Sequence, residues 1–416
     1  MLIVDREPSI GGKMIQLSKV FPTLDCSSCI TTPKMSSAAH HPNITVWTYT
    51  EVNSVNQNDN STFTAQLTRK ARFVDEELCI GCQKCEYACP VDVPSEFEMG
   101  IGARKAIYIP FQTAIPQIAI LDLDNCIACG KCERVCPADA VIYAQEDEYK
   151  ELSFKTVIFS TGFELTPMEA KKEYGLGNYT NVISSMTMER LLSPNGPFGG
   201  IRRPSDGKQP FSAAFVLCAG SRDRSLGVPY CSRVCCMYSI KQAILLTGAL
   251  PIVDVTIYYM DIRAFGKGFE QFYQNAKAMG INFVKAKVAK ISEDSKTHDL
   301  TLKVESMEED YGIKENTHDM VILALGLIPS LKNTSIFPSL VLGEDGFIDS
   351  YDIKINPTQT SIKGVFAGGV AIGPKDIVDT IVEGSASAMN ASIYIENIQD
   401  EKSDIYTSTS VKQEIE

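Results

Sequence analysis

Eight of the fourteen cysteines of this 416-residue chain fall into two copies of one phrase. Cys79, Cys82, Cys85 and Cys89 are spaced C-x2-C-x2-C-x3-C and followed by Pro90; Cys126, Cys129, Cys132 and Cys136 repeat the spacing and are followed by Pro137. A short C-x2-C-x2-C loop wraps three thiolates around one corner of an iron–sulfur cube, and the fourth cysteine of each run reaches the other cluster. The spacing therefore predicts one [4Fe-4S] cluster on Cys79, Cys82, Cys85 and Cys136, and a second on Cys126, Cys129, Cys132 and Cys89. A zinc module or a set of packed core thiols is the alternative, but zinc sites rarely place three thiolates so tightly before a fourth. The spacing predicts a chain that moves electrons.

Composition bounds the rest. The length allows two or three cores, and cysteines in metal-ligand spacings point to a reducing compartment, hence the cytoplasm. A net charge of -12 argues against nucleic-acid binding. The apolar runs are too short to cross a bilayer, and no basic segment followed by an apolar core opens the chain.

Leu2-Ile3-Val4-Asp5 reads as the second strand of a dinucleotide-binding unit, with Asp5 placed for ribose hydroxyls. The first strand and its G-x-G-x-x-G turn should precede it. The expectation is a fragment, a mis-called start, or a strand supplied by another chain. The α/β pattern then divides into a flavin-type domain in three pieces (1–68, 151–206 and 331–398), an inserted two-cluster domain (69–150), a second α/β domain (207–330) and a frayed polar tail (399–416). A Pro/Gly-rich linker, 193–210, marks the second domain's start. Strands are expected over 44–50, 62–68, 214–217, 253–259, 282–288, 301–305 and 321–325, helices over 235–247, 269–279 and from about Ile377, and an added hairpin inside 91–124.

A further group, Cys218, Cys231, Cys235 and Cys236, is spaced C-x12-C-x3-C-C, with the last pair opening a helix where the dipole favours thiolate. Spacing alone divides evenly between a cluster and buried thiols. Cys26 and Cys29 are half a metal site, a redox pair or packed thiols, the last being preferred.

Residues 2–12 (LIVDREPSIGG), 21–35 (FPTLDCSSCITTPKM), 230–238 (YCSRVCCMY), 258–269 (YYMDIRAFGKGF) and 373–377 (GPKDI) resemble signature stretches of the A subunit of heterodisulfide reductase, along nearly the whole chain. The resemblance implies an α/β, thioredoxin-reductase-like two-domain flavoprotein, with its first Rossmann-like unit incomplete, carrying an inserted two-[4Fe-4S] ferredoxin domain. It implies FAD, a third [4Fe-4S] cluster on the C-x12-C-x3-C-C group, other heterodisulfide-reductase-type subunits as partners, and a ferredoxin or a hydrogenase or dehydrogenase as donor. The chain departs from the family in lacking an N-terminal domain, the first flavin strand and any C-terminal ferredoxin.

For the flavin, the order along the chain nominates Asp5, Gly11, Gly12, Thr161, Gly162, Gly368, Gly369 and Asp376, the last at a helix start facing reduced flavin. Lys241, five residues after Cys236 on one helix, is a candidate catalytic residue that tunes the flavin, with a solvated helix lysine as the alternative, and Glu189 is a further candidate for the same pocket. The turn at 217–222 (LCAGSR) is not G-x-G-x-x-G, which argues against a nicotinamide partner. The expected function is transfer of electrons between FAD and clusters towards ferredoxin and a coenzyme B–coenzyme M heterodisulfide reduced on partner subunits. The alternatives are an A-like protein serving a quinone- or sulfur-linked acceptor, or a flavin-free iron–sulfur scaffold.

Overall fold

A computed structural model describes residues 1–58, 62–307, 312–330 and 333–412, of which 333–334 and 399–412 are described by their backbone alone. The most apolar run, Met320–Leu325, is a strand buried at every position. Such a strand needs cover on both faces, and it lies inside a seven-stranded sheet. The order is Val182–Ser184, Met320–Leu325, Ser212–Ala219, Asp254–Tyr259, Asn282–Glu293, Leu300–Ser306, Gly312–His318. The first five run parallel, and the last two add antiparallel pairings. Helices Ser185–Leu192, Cys235–Ala249 and Phe269–Ala278 cover one face around Met237, Ile240 and Phe215. Leu302, Val304, Val321 and Leu323 line the other. Strand Gly312–His318 is an addition to the expected elements, because its alternating polar residues carry almost no apolar signal.

The first domain is built from two parallel pairs, Leu2–Val4 with Thr45–Trp47 and Val157–Phe159 with Val365–Ala367. An antiparallel meander of Thr50–Gln57, Phe63–Arg69 and Glu148–Phe154 lies beside them. Phe63, Phe159, Phe337 and Val365 share one core. The single strand expected over 44–50 is two, because Tyr49 adopts a left-handed conformation (φ 53°) and turns the chain between them.

The cluster domain leaves this meander after Arg69 and returns at Glu148, and those residues are paired across adjacent strands. The insertion therefore starts and ends at one place and costs the host sheet no pairing. Inside it the expected hairpin takes the form of two small antiparallel pairings, Asp92–Pro94 with Ala103–Lys105 and Ile107–Tyr108 with Ile120–Leu121. Arg190, only 3 % exposed at its side chain, fastens the insertion to the second domain. Its guanidinium donates to Glu98 (2.8 and 3.0 Å), Gln16 O and Asn195 O and stacks over Phe97. Helix Ile377–Lys412 continues through most of the expected polar tail, where no Gly or Pro interrupts it after Gly384; residues 413–416 lie outside the described residues. Among the described residues no helix is long and apolar enough to cross a membrane.

Candidate redox centre

In the inserted domain the two cysteine runs interleave. Cys79, Cys82, Cys85 and Cys136 line one cavity with Val74, Ile109 and Ala140. Cys89, Cys126, Cys129 and Cys132 line a second with Leu121 and Ile127, and Ile107 borders both. Each tight loop turns through left-handed residues, Gly81 and Gln83 in one, Ala128 and Gly130 in the other, before a five-residue helix. At Gly81 a side chain would meet Gln117 O at 2.7 Å, so only glycine fits. The N–H of Ala140 donates to Cys136 Sγ and that of Ala128 to Cys126 Sγ, both at 3.3 Å. In the second cavity the Tyr143 hydroxyl also meets Cys132 Sγ at 3.4 Å.

Burial, and the neighbouring Cys79, Cys82 and Cys136, push the Cys85 thiol up to about 12. Thiolates so placed need positive charge among them, which iron supplies. Among the described residues no three Cys, His, Asp or Glu side chains stand close enough for a single ion. Donors spread around a cavity fit a multi-iron cluster better than zinc. Cys82 and Cys129 are exposed, and so are Ile80, Tyr87 and Ile127 in the same cysteine runs.

The C-x12-C-x3-C-C residues also converge. Cys218 ends strand Ser212–Ala219 in a left-handed conformation (φ 59°), and Cys235 and Cys236 open helix Cys235–Ala249. Burial pushes the Cys236 thiol up to about 11, with Cys218 and Cys231 close enough to add to the shift; burial raises Cys235 further and Cys218 as well. The four thiols are free and near enough to one another to influence each other's ionisation. Sequence reasoning missed their neighbours: Arg222 pairs with Asp261 beside Cys218, and the Arg233 N–H donates to Cys231 Sγ at 3.3 Å. The run YYMDIR ahead of Phe265 was the available signal.

The glycine turns nominated for flavin gather at the carboxyl ends of parallel strands, where open α/β sheets bind ligands. The Gly368 N–H donates to Phe159 O at 3.0 Å, placing the 160–162 turn beside the 368–369 turn. Lys13 donates to Phe163 O at 2.7 Å and Arg6 to Glu164 at 3.0 Å, bringing residues 5–13 alongside. Gly11 favours glycine because of its backbone angle (φ 121°), with Met35 Sδ 3.0 Å from where a Cβ would stand. Gly12 and Gly162 face open space, leaving their backbone accessible to a cofactor. Burial pushes the Asp5 carboxyl up, although it accepts the Glu7 N–H at 2.9 Å. Thr161 is exposed in the same turn. Asp376 accepts the Asp379 N–H at 2.9 Å and so caps the long helix. Lys375, 8 % exposed, was not anticipated; with Glu383, which accepts the Gly369 N–H at 3.0 Å, it fixes the second turn.

Lys241 and Glu189 do not stand free. They pair with each other at full burial, and Lys241 Nζ also donates to Lys19 O at 2.9 Å. Ser18 donates its N–H and hydroxyl to the Glu189 carboxylate, at 2.9 and 2.7 Å, and Gln242 donates at 2.5 Å. Burial opposes ionisation of Glu189, but Lys241 and these donors outweigh it and hold the carboxyl below its ordinary range. Burial also lowers Lys241, against the pull of Glu189.

The expectation of packed thiols at Cys26 and Cys29 needs correction. The two are joined by a disulfide, because one helical turn brings their Cα atoms to 5.2 Å, within bridging range.

Residues 78–140 match the 4Fe-4S dicluster domain family. Proteins similar to the chain include the A subunit of H(2):CoB-CoM heterodisulfide,ferredoxin reductase from Methanothermobacter marburgensis, 44% identical over 94% of this chain and 60% of the relative. The iron-sulfur A subunit of CoB–CoM heterodisulfide reductase from Methanocaldococcus jannaschii is 43% identical over the same shares. The chain thus spans about 60% of the length of these relatives. Among solved structures it is similar to Lactococcus lactis thioredoxin reductase, with a TM-score of 0.51 at 13% identity, covering 95% of this chain and 91% of that one. The fold is that of a thioredoxin-reductase-like protein with a ferredoxin-type insertion.

Proposed function

This chain belongs with the A subunits of CoB–CoM heterodisulfide reductase over the part of them that it spans, and on that premise we propose that it is their flavin- and iron–sulfur-bearing electron-transfer component. FAD supplies the exchange between electron pairs and single electrons, and iron–sulfur clusters supply one-electron transfer. Asp5 holds the adenosine ribose, while Gly11, Gly12, Thr161, Gly162, Gly368 and Gly369 present open backbone along the cofactor. Asp376, by capping helix Ile377–Lys412, fixes the helix start near the isoalloxazine. Lys241 and Glu189 act as a pre-set ion pair with no net charge that positions residues 18–19 and sets the polarity beside the flavin. The interleaved cysteines hold two clusters, and Cys218, Cys231, Cys235 and Cys236 a third.

Electrons then divide between ferredoxin and a partner protein that reduces the coenzyme B–coenzyme M heterodisulfide. Other reductase subunits, with a hydrogenase or dehydrogenase as donor, are the partners in this reading. The observation that carries it is the presence, in one chain, of two four-thiol cavities and a third four-thiol group beside flavin-type strand ends. The test is anaerobic reconstitution with iron, sulfide and flavin quantified on one sample. Roughly twelve irons with one FAD per chain supports the reading. Roughly eight irons without flavin supports the flavin-free scaffold instead.

A further inference from the structure

The residues between Cys218 and Cys231 form a loop that closes on itself. The Arg222 N–H donates to Tyr230 O at 2.8 Å, and Asp223 and Val228 exchange backbone bonds at 2.8 and 3.1 Å. The closure returns the chain to Cys231 and leaves Arg222, in a left-handed conformation (φ 57°), at the base of the loop. Its guanidinium hydrogen-bonds Cys218 and pairs with Asp261. Asp261 follows strand Asp254–Tyr259 and reaches the same thiol group from another element, its carbonyl oxygen lying 3.8 Å from Cys236 Sγ. Two opposite charges thus meet beside the four cysteines. We propose that Arg222 and Asp261 are a positioning pair that sets the reduction potential of a cluster on Cys218, Cys231, Cys235 and Cys236, Arg222 raising it and Asp261 holding it down. The proposal rests on the reading of this group as a third cluster.

A cluster on four thiolates gains a single electron on reduction, and hence a negative charge, with no bond made or broken. Its potential follows net charge, hydrogen bonds to the sulfurs and solvent exposure. A guanidinium donating to a ligand sulfur favours the more negative state, and a carboxylate at the same place disfavours it. The Arg222 and Asp261 side chains are 25 % and 47 % exposed, so water screens part of each effect and limits it to a few-fold change. The neighbouring arginines are directed elsewhere or towards the same carboxylate. Arg233 meets Cys231 through its backbone N–H, while its guanidinium bonds Pro374 O and Asp379, both at 3.3 Å. Arg263 stands 3.6 Å from the second oxygen of Asp261. Asp261 therefore holds Arg222 in place and offsets part of its charge.

The test uses the full chain reconstituted anaerobically with iron, sulfide and FAD. It is titrated with dithionite in the presence of redox mediators and read by electron paramagnetic resonance, the signal absent from Cys231→Ser identifying the cluster. At fixed ambient potential its reduced-to-oxidised ratio is expected to fall roughly three- to tenfold in Arg222→Gln, about 30–60 mV, and to rise by a similar factor in Asp261→Asn. Arg222→Lys keeps the charge without the planar fork and should lie between Arg222→Gln and the parent. Opposite shifts are the signature of charge, since a merely structural pair moves both variants the same way. Shifts of the same sign overturn the proposal. Loss of roughly four irons in Arg222→Gln also overturns it, because the residue would then only hold the shape of the site. A parent chain with only roughly eight irons defeats the third-cluster reading and the proposal with it, whereas unmoved potentials at roughly twelve irons defeat the proposal alone.

Discussion

Lys241 and Glu189, 52 residues apart and each about 2 % exposed at the side chain, form a buried ion pair that ties residues 18–19 of the first domain to a helix of the second. A buried pair of this kind adds little net stability over a well-packed apolar isostere, but breaking it strands a charge.

Glu189→Gln therefore leaves the buried Lys241 ammonium without a compensating charge and is expected to cost about 3–5 kcal/mol. Lys241→Met should cost less, because Ser18 and Gln242 still solvate the carboxylate. The double variant Glu189→Leu/Lys241→Met should lose less than the sum of the singles. Urea denaturation followed by circular dichroism gives all three values, and additive losses would count against a coupled pair.

The interleaving of the two cysteine runs has a sharp consequence. Cys136→Ser should damage the cluster on Cys79, Cys82 and Cys85 rather than that of its own run, and Cys89→Ser the reverse. Each variant should lose up to one cluster's iron, about four atoms per chain. Pairing with Cys79→Ser and Cys126→Ser, read by electron paramagnetic resonance, identifies which signal disappears. If Cys136→Ser and Cys126→Ser remove the same signal, the assignment fails.

The Tyr143 hydroxyl meets a cluster-type cysteine, Cys132, and it should raise the potential of the second cluster by stabilising its more negative reduced state. Tyr143→Phe removes one hydrogen bond of about 0.5–1.5 kcal/mol. At fixed ambient potential the reduced-to-oxidised ratio of that cluster should fall roughly two- to tenfold, about 20–65 mV. A potentiometric titration reads the shift; movement of the first cluster instead would exclude this role.

His318, 6 % exposed, bonds the Tyr258 hydroxyl at 2.9 Å, and its Nδ1 has no hydrogen-bond partner among the described residues. Burial lowers its pKa from 6.5, against the weaker pull of Asp254 and Asp319. The folded state thus holds the ring neutral where the unfolded chain protonates it, so the unfolded state binds more protons below 6.5. The contribution of His318 is complete above that pH and is lost as pH falls towards the lowered value. Its slope is at most about 1.4 kcal/mol per pH unit. His318→Gln keeps a bond to Tyr258 without a titrating ring and should flatten the dependence between pH 5 and 7; an unchanged slope would place its source elsewhere.

The sequence by itself determined the chemistry and its grouping. Metal-ligand spacing is a local property, so the two cysteine runs and their crossed partners could be read from Cys79 to Cys136 without knowing the fold. The buried run Met320–Leu325 and the helix opening at Cys235 were legible for the same reason, since periodicity and apolar content act over a few residues. Tertiary structure decided what depends on residues far apart in the chain. Whether Cys218 meets Cys235 and Cys236 rests on strand Ser212–Ala219 packing beside helix Cys235–Ala249, which no spacing rule encodes. That Lys241 is neutralised by Glu189, Arg190 by Glu98 and Lys375 by Glu383 follows from burial, which makes an unpaired charge costly and selects partners across domains or turns. The split at Tyr49 was hidden because its left-handed φ leaves no mark in the residue pattern, and the strands Glu148–Phe154 and Gly312–His318 because their residues are too polar to signal a strand that neighbouring strands complete by pairing.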